Sequence, residues 1–167
     1  MFRYFSGFCL ENEEELFEQF LKKKDFNVAG FSYGAIKAFK YALNSETRIN
    51  TLQLFSPAFF QDESEEFKKS QIKLFSKNKD TYTKIFFKNI SQGKNLNKYF
   101  NLGSEKELEE LLFFTWEEDD FKILEDKGIE IEVYLGGLDK IIMAQNAYDF
   151  FKKFTRVYYF KEKGHIL

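Results

Sequence analysis

Between Asn27 and Gly34 the chain reads Asn-Val-Ala-Gly-Phe-Ser-Tyr-Gly, a short apolar run that ends in Gly-x-Ser-x-Gly. It passes without a break into a helical pattern in which Ala35, Ile36, Phe39, Ala42 and Leu43 recur on one face. Strand, tight turn and helix is the context that gives this motif meaning, because the turn forces its serine into strained backbone angles. The flanking glycines remove Cβ atoms that would collide with the strand and the helix. Ser32 is then left at the carboxyl end of a sheet, with the first amides of the helix aimed at the same point. By itself the motif arises by chance in about one chain in twenty of this length. A capping serine at a glycine-rich corner is the plainer explanation, so the remaining segments must decide.

Four other stretches read as strands. Phe2 to Phe5 is a short apolar start that turns at Ser6-Gly7-Phe8, and Arg48 to Phe55 ends at Ser56-Pro57, the only proline. Ile129, Ile131, Val133 and Leu135 alternate cleanly up to Gly136-Gly137, and Val157 to Phe160 is the last strand, preceded by a helix over Gln145 to Phe154. Near the start, Asn12 is placed to cap a helix burying Leu16, Phe17, Phe20 and Leu21 and stopping near Lys22-Lys23-Lys24. From Phe59 to about Lys127 there is no strand pattern, only amphipathic helical stretches carrying Phe67, Phe75, Phe86, Phe87, Leu111, Leu112 and Trp116. Strands separated by helices predict an α/β fold with about five mostly parallel strands. One compact domain is expected, its core from residues 1–58 and 128–167 and a helical lid inserted over 59–127.

In parallel sheets, ligands gather beyond the carboxyl ends of the strands. Ser6-Gly7, Ser32, Asp139 and His165 all fall at such ends. A hydroxyl, a base to take its proton and a carboxylate to orient the base make an activated nucleophile. Ser32, Asp139 and His165 supply the three, in the order Ser, Asp, His. Separately, Asp139 reads as a turn former and His165 as a terminal residue; together, at three strand ends, they predict a catalytic triad. An oxyanion hole needs two backbone N–H groups, and Tyr33 and Phe8 are the candidates.

With a single histidine and a single cysteine, Cys9, neither a zinc site nor an internal disulfide is expected, and a reducing compartment fits. No apolar run approaches the ~18 residues of a membrane span. The acids Glu11, Glu13, Glu14 and Glu15 come too early for a secretory signal, so a cytoplasmic protein is expected. The net charge of −2 conceals a division: Phe67 to Lys98 carries +8 and the remainder −10. Such a patch invites an acidic protein partner, although a solvated lysine-rich helix face would look the same. No nucleic acid or membrane partner is implied.

These residues resemble a known family. The chain is similar to the α/β-hydrolases, and specifically to the small pimeloyl-[acyl-carrier protein] methyl ester esterases of biotin synthesis, the BioV type. The resemblance runs through Phe5-Ser6-Gly7-Phe8, Gly30-Phe31-Ser32-Tyr33-Gly34-Ala35-Ile36-Lys37-Ala38, Leu54-Phe55-Ser56-Pro57, Ile131-Glu132-Val133, Asp139-Lys140-Ile141 and His165. It implies a minimal α/β-hydrolase fold and attack by Ser32 on the methyl ester of a carrier-bound pimeloyl chain, with no cofactor or metal. The acidic carrier would dock on lysines of the insertion, for which Lys68, Lys69, Lys73, Lys77, Lys84 and Lys88 are the candidates. A thioesterase, a small-ester esterase and a non-catalytic carrier-binding module are the alternatives. Departures from larger esterases are the absent strands before and after the first one, Ser6 where many relatives have His, and no helix after His165. Right-handed crossovers would put several helices on one sheet face. The other face then needs the opening helix, part of the insertion, or a second subunit in a homodimer.

Overall fold

A computed structural model describes every residue from Met1 to Leu167. Five strands, β1 (Arg3–Phe5), β2 (Asn27–Phe31), β3 (Thr51–Phe55), β4 (Glu130–Gly136) and β5 (Arg156–Phe160), form one sheet. They lie side by side in chain order, and every neighbouring pair is parallel. β2 and β3 are buried along their whole length, which explains why they read as continuous runs.

The alternation along the strands assigns residues to two faces. Val28, Leu52, Leu54, Ile131 and Val133 pack in one cluster with Ile36 and Phe39 of α1 (Tyr33–Asn44), Phe121 and Leu124 of α5 (Glu118–Asp126), and Ala147 and Phe151 of α6 (Ala144–Phe151). Trp116 enters the same cluster, its ring 4.9 Å from Phe39 and 5.1 Å from Phe151, and its Nε1 donates to the Ala58 carbonyl at 2.9 Å. The indole is therefore buried without leaving its N–H unpaired.

The insertion between β3 and β4 contributes α2 (Glu65–Lys77), α3 (Lys79–Ser91), α4 (Glu105–Phe113) and then α5. Their starts are written locally. Ser64 accepts from the Phe67 amide and Asn78 from the Thr81 amide, while Ser104 and Glu107 form a reciprocal capping box. Asn78 both ends α2 and caps α3, so the chain turns there in a single residue. α5 lies beside α1 on the sheet, whereas α2, α3 and α4 stand near the strand ends around a cavity.

The opening segment departs from the expected helix. Asn12 sits at φ 58, which is not a capping conformation, and only one 3-10 turn forms, Glu14–Phe17. Phe17 is buried, its ring 4.8 Å from both Phe31 and Phe55; Leu16, Phe20 and Leu21 are half-buried against the same face. Two demands stop helix growth. Glu13 turns its side chain inward to the Gly7 amide, and the Lys22 amide is committed to the Gln53 side chain. The second sheet face is thus closed within one chain, by this segment, by Ile90, Leu96 and Tyr99 of the insertion, and by Ile166 and Leu167. No helix is long and apolar enough to cross a membrane.

Candidate active site

Ser32 stands between β2 and α1 at φ 53, ψ −113, a conformation that L-residues rarely adopt. Close approach on both sides accounts for its glycines. A Cβ on Gly30 would lie 2.1 Å from the Gly34 carbonyl oxygen, and one on Gly34 would lie 1.9 Å from that of Phe5. The second approach brings the end of β1, and with it Ser6-Gly7-Phe8, beside the serine. The Ser32 amide donates to Phe55 O at 2.9 Å, and its carbonyl accepts from Ala35 N and Ala58 N at 3.1 and 3.2 Å. Backbone bonds from three segments hold the strained turn and leave the hydroxyl free.

That hydroxyl lies 2.9 Å from Nε2 of His165, and Nδ1 of the same ring lies 2.6 Å from Oδ2 of Asp139. The side chains of His165 and Asp139 are fully buried. Asp139 Oδ1 accepts from the Ile141 and Ile142 amides at 2.7 and 3.1 Å, in the turn that follows β4. With donors on both carboxylate oxygens, Nδ1 carries the imidazole proton and Nε2 turns its lone pair to the serine hydroxyl. The arrangement can remove a proton from Ser32 and stabilise the imidazolium that results.

His165 follows β5 in a segment without regular structure. Ser56, at φ 39 just past β3, donates its hydroxyl to the His165 carbonyl at 2.6 Å, and the Phe31 ring packs 5.0 Å from the imidazole. The side chains of Ile166 and Leu167, 1% exposed, anchor the segment from beyond. Reasoning from sequence did not single out Ser56. Its signal was a polar residue at the carboxyl end of a buried strand, read only as a strand stop.

Of the two amides considered for an oxyanion hole, Tyr33 opens α1, where an N–H has no partner within the helix. Phe8 lies in the turn after β1, and its amide makes no backbone hydrogen bond there. The Tyr33 side chain has a separate use: its hydroxyl donates to Glu110 Oε2 at 2.6 Å, and Lys37 Nζ sits 4.3 Å over its ring. The carboxylate and burial push the phenol pKa well up, burial more than the carboxylate, so the hydroxyl remains the donor that ties the elbow to α4.

A cavity of about 650 Å³ opens beside Ser32. Phe8, Phe60, Tyr82, Leu108, Leu111 and Ile141 are among its mainly apolar walls. The candidate lysines divide. Lys69 pairs with Glu65 at 3.1 Å, Lys68 lies 5.4 Å over the Phe113 ring, and Lys77 lines the cavity. Lys73 of α2 and Lys84 and Lys88 of α3 are exposed and make no ion pair. No three His, Cys, Asp or Glu side chains converge in a way that could hold a metal ion.

No protein-family model matches the sequence, and no curated protein matches it by sequence. Solved structures do match by shape. An esterase from Exiguobacterium antarcticum superimposes with a TM-score of 0.72 at 16% identity, over 98% of this chain and 84% of its own. BioG from Haemophilus influenzae gives 0.63 at 13%, over 99% and 88%, and MenH from S. aureus 0.58 at 13%, over 98% and 84%. At such identities the likeness is one of fold, and the fold is that of the α/β-hydrolases.

Proposed function

We propose that this chain is a serine ester hydrolase working through a covalent acyl-enzyme, with the methyl ester of a pimeloyl chain on an acyl carrier protein as its substrate. The hydrogen-bonded run from the Ser32 hydroxyl through His165 to Asp139, at 2.9 and 2.6 Å, carries the hydrolase part. Ser32 Oγ attacks the ester carbonyl while His165 Nε2 takes its proton, and Asp139 holds the imidazolium by Nδ1–H. The charge that develops on the carbonyl oxygen is received by the Phe8 and Tyr33 amides. Collapse expels methoxide, which leaves as methanol with the proton from Nε2. Water then attacks the acyl-enzyme by the same route in reverse, releasing the free carboxylate and restoring Ser32.

The narrower substrate rests on three supports: the resemblance of the sequence, the apolar walls of the cavity, and its size, which falls within the range of ~300–1,000 Å³ usual for ligand pockets. Under this reading α2, α3 and α4 are the lid that encloses the acyl chain. The unpaired Lys73, Lys84 and Lys88, with Lys77 at the cavity, face the acidic carrier. A reducing cytoplasm suits the free Cys9.

Incubation with the carrier-bound methyl ester, with products resolved by mass, tests both parts. Methanol release with the thioester intact is expected; free acid and carrier thiol would instead make the chain a thioesterase. Ser32→Ala should lower the rate by about 10³-fold or more, an effect that a mere carrier-binding module would not show. Reversing Lys77, Lys84 and Lys88 to Glu should raise KM for the carrier-bound ester by about tenfold or more and leave a small soluble ester within about twofold. Equal effects on both substrates would remove the lysines from carrier docking.

A further inference from the structure

The connection between β1 and β2 holds the one buried side-chain nitrogen or oxygen in the molecule without a hydrogen-bond partner. Glu13 is fully buried. Its Oε1 accepts from the Gly7 amide at 2.8 Å and from the Tyr4 hydroxyl at 3.2 Å, while Oε2 meets no donor. A buried carboxyl with an idle oxygen is a poor choice for packing alone, since an apolar side chain would fill the space without desolvating a polar group. Its neighbours Glu14 and Glu15 reach the surface, and Glu13 does not.

What the carboxyl holds lies one residue from the site. Gly7 is pressed between Glu13 and Phe31: a Cβ there would lie 2.8 Å from the Phe31 ring, and that ring packs against the imidazole of His165. The Gly7 amide is held by Glu13, and the Gly7 carbonyl accepts from the Leu10 amide at 3.2 Å. In a planar trans peptide the Gly7 carbonyl and the Phe8 N–H point in opposite directions. Fixing Gly7 at both ends therefore aims the Phe8 N–H. We propose that Glu13 is a positioning residue for the oxyanion hole, clamping Gly7 so that the Phe8 amide faces the charge that develops at Ser32. The inference rests on the hydrolase reading, in which Phe8 is a hole donor. Burial, the largest influence on this carboxyl, raises its pKa and favours the neutral form.

The test uses the full chain, p-nitrophenyl butyrate as substrate, and two variants. Glu13→Gln keeps an acceptor for the Gly7 amide and should hold kcat within about threefold. Glu13→Leu removes the acceptor and should lower kcat about 10- to 100-fold with KM within about twofold, as expected for a weakened oxyanion donor. Should Glu13→Leu fail to fold, Glu13→Asp, a methylene too short to reach Gly7, takes its place with the same expected loss. Wild-type kcat in Glu13→Leu, or an equal loss in Glu13→Gln, overturns the inference while the hydrolase reading stands. A wild-type chain that hydrolyses no ester overturns the hydrolase reading, and this inference with it.

Discussion

On the face that carries α1, α5 and α6, the strands present Val28, Leu52, Leu54, Ile131 and Val133; on the other they present Tyr4, Gln53, Glu132 and Tyr134 among Ala29, Phe31 and Phe55. The cover differs in the same way. Helices satisfy their own backbone, so the sheet beneath them needs only apolar atoms. Residues 10–22, 94–100 and 161–167 arrive as turns and irregular chain, whose buried N–H and C=O groups need partners from elsewhere. Side chains from the strands and their ends supply them. Gln53 accepts from the Lys22 amide at 2.8 Å and donates to the Phe20 carbonyl at 3.0 Å, and Ser56 donates to the His165 carbonyl. Glu132, fully buried, gathers Lys22 Nζ at 2.6 Å, Tyr134 at 2.8 Å and Gln53 at 3.1 Å. A sheet face covered by irregular chain has to be partly polar, and here the chain so held leads directly to the site.

Substituting one residue from each face puts this contrast at risk. Gln53→Leu adds apolar atoms at nearly constant volume, yet strands the Lys22 amide and the Phe20 carbonyl and takes a donor from Glu132. It should cost about 2–4 kcal/mol by urea unfolding. Leu54→Met, on the neighbouring position of β3 but the opposite face, should cost less than about 1.5 kcal/mol. Equal losses would mean that the polar face is incidental.

The second comparison sets a buried side-chain-to-backbone bond against an exposed one. Ser56→Ala removes the donor to the His165 carbonyl and should lower stability by about 1–2 kcal/mol. Under the proposed hydrolase function it should also lower kcat about tenfold, because the imidazole loses a fixed position. Ser45 makes similar bonds to Thr47 at an exposed site. Ser45→Ala should change stability by less than about 0.5 kcal/mol and leave kcat alone. A Ser56→Ala variant with wild-type turnover would show that Asp139 and the buried Ile166 and Leu167 hold the imidazole unaided.

The same division separates what could be read from the sequence from what could not. The helical face was legible because burial under helices imposes a period: Ile131, Val133 and Leu135 on β4, with Ile129 just before it, and Ile36 and Phe39 on α1. Ser32, Asp139 and His165 were legible as candidates because each follows a strand whose end is marked by glycine or by loss of pattern. The irregular face was not. Leu16, Phe17, Phe20 and Leu21 have helical spacing, but spacing reports which side chains turn inward, and one 3-10 turn followed by irregular chain turns them inward too. Nothing local distinguishes Glu13 from Glu14 and Glu15. Its burial depends on Gly7 and Tyr4, which only the fold brings to it. Gln53 and Glu132 are likewise aligned by the pairing of β3 with β4, a fact of register and not of either strand alone.

The smallest effect expected is also the most selective, because it varies with pH. Burial raises the Glu13 pKa in the folded chain, so between the ordinary carboxylate range, about 4.3, and that raised value the folded state binds more protons than the unfolded one. Stability from this residue is complete below the unfolded pKa and is lost as pH rises through the folded one. Glu13→Gln has no proton to lose. Its melting temperature should therefore match that of wild type near pH 4 and gain on it by a few degrees toward pH 8, as ionisation at Glu13 weakens only the wild-type chain. The opposite-face comparator Leu54→Met carries no titrating group, so its offset from wild type should stay constant over the same range. If the Glu13→Gln offset also stays constant, Glu13 titrates alike in both states, and folding has not made this carboxyl reluctant to ionise.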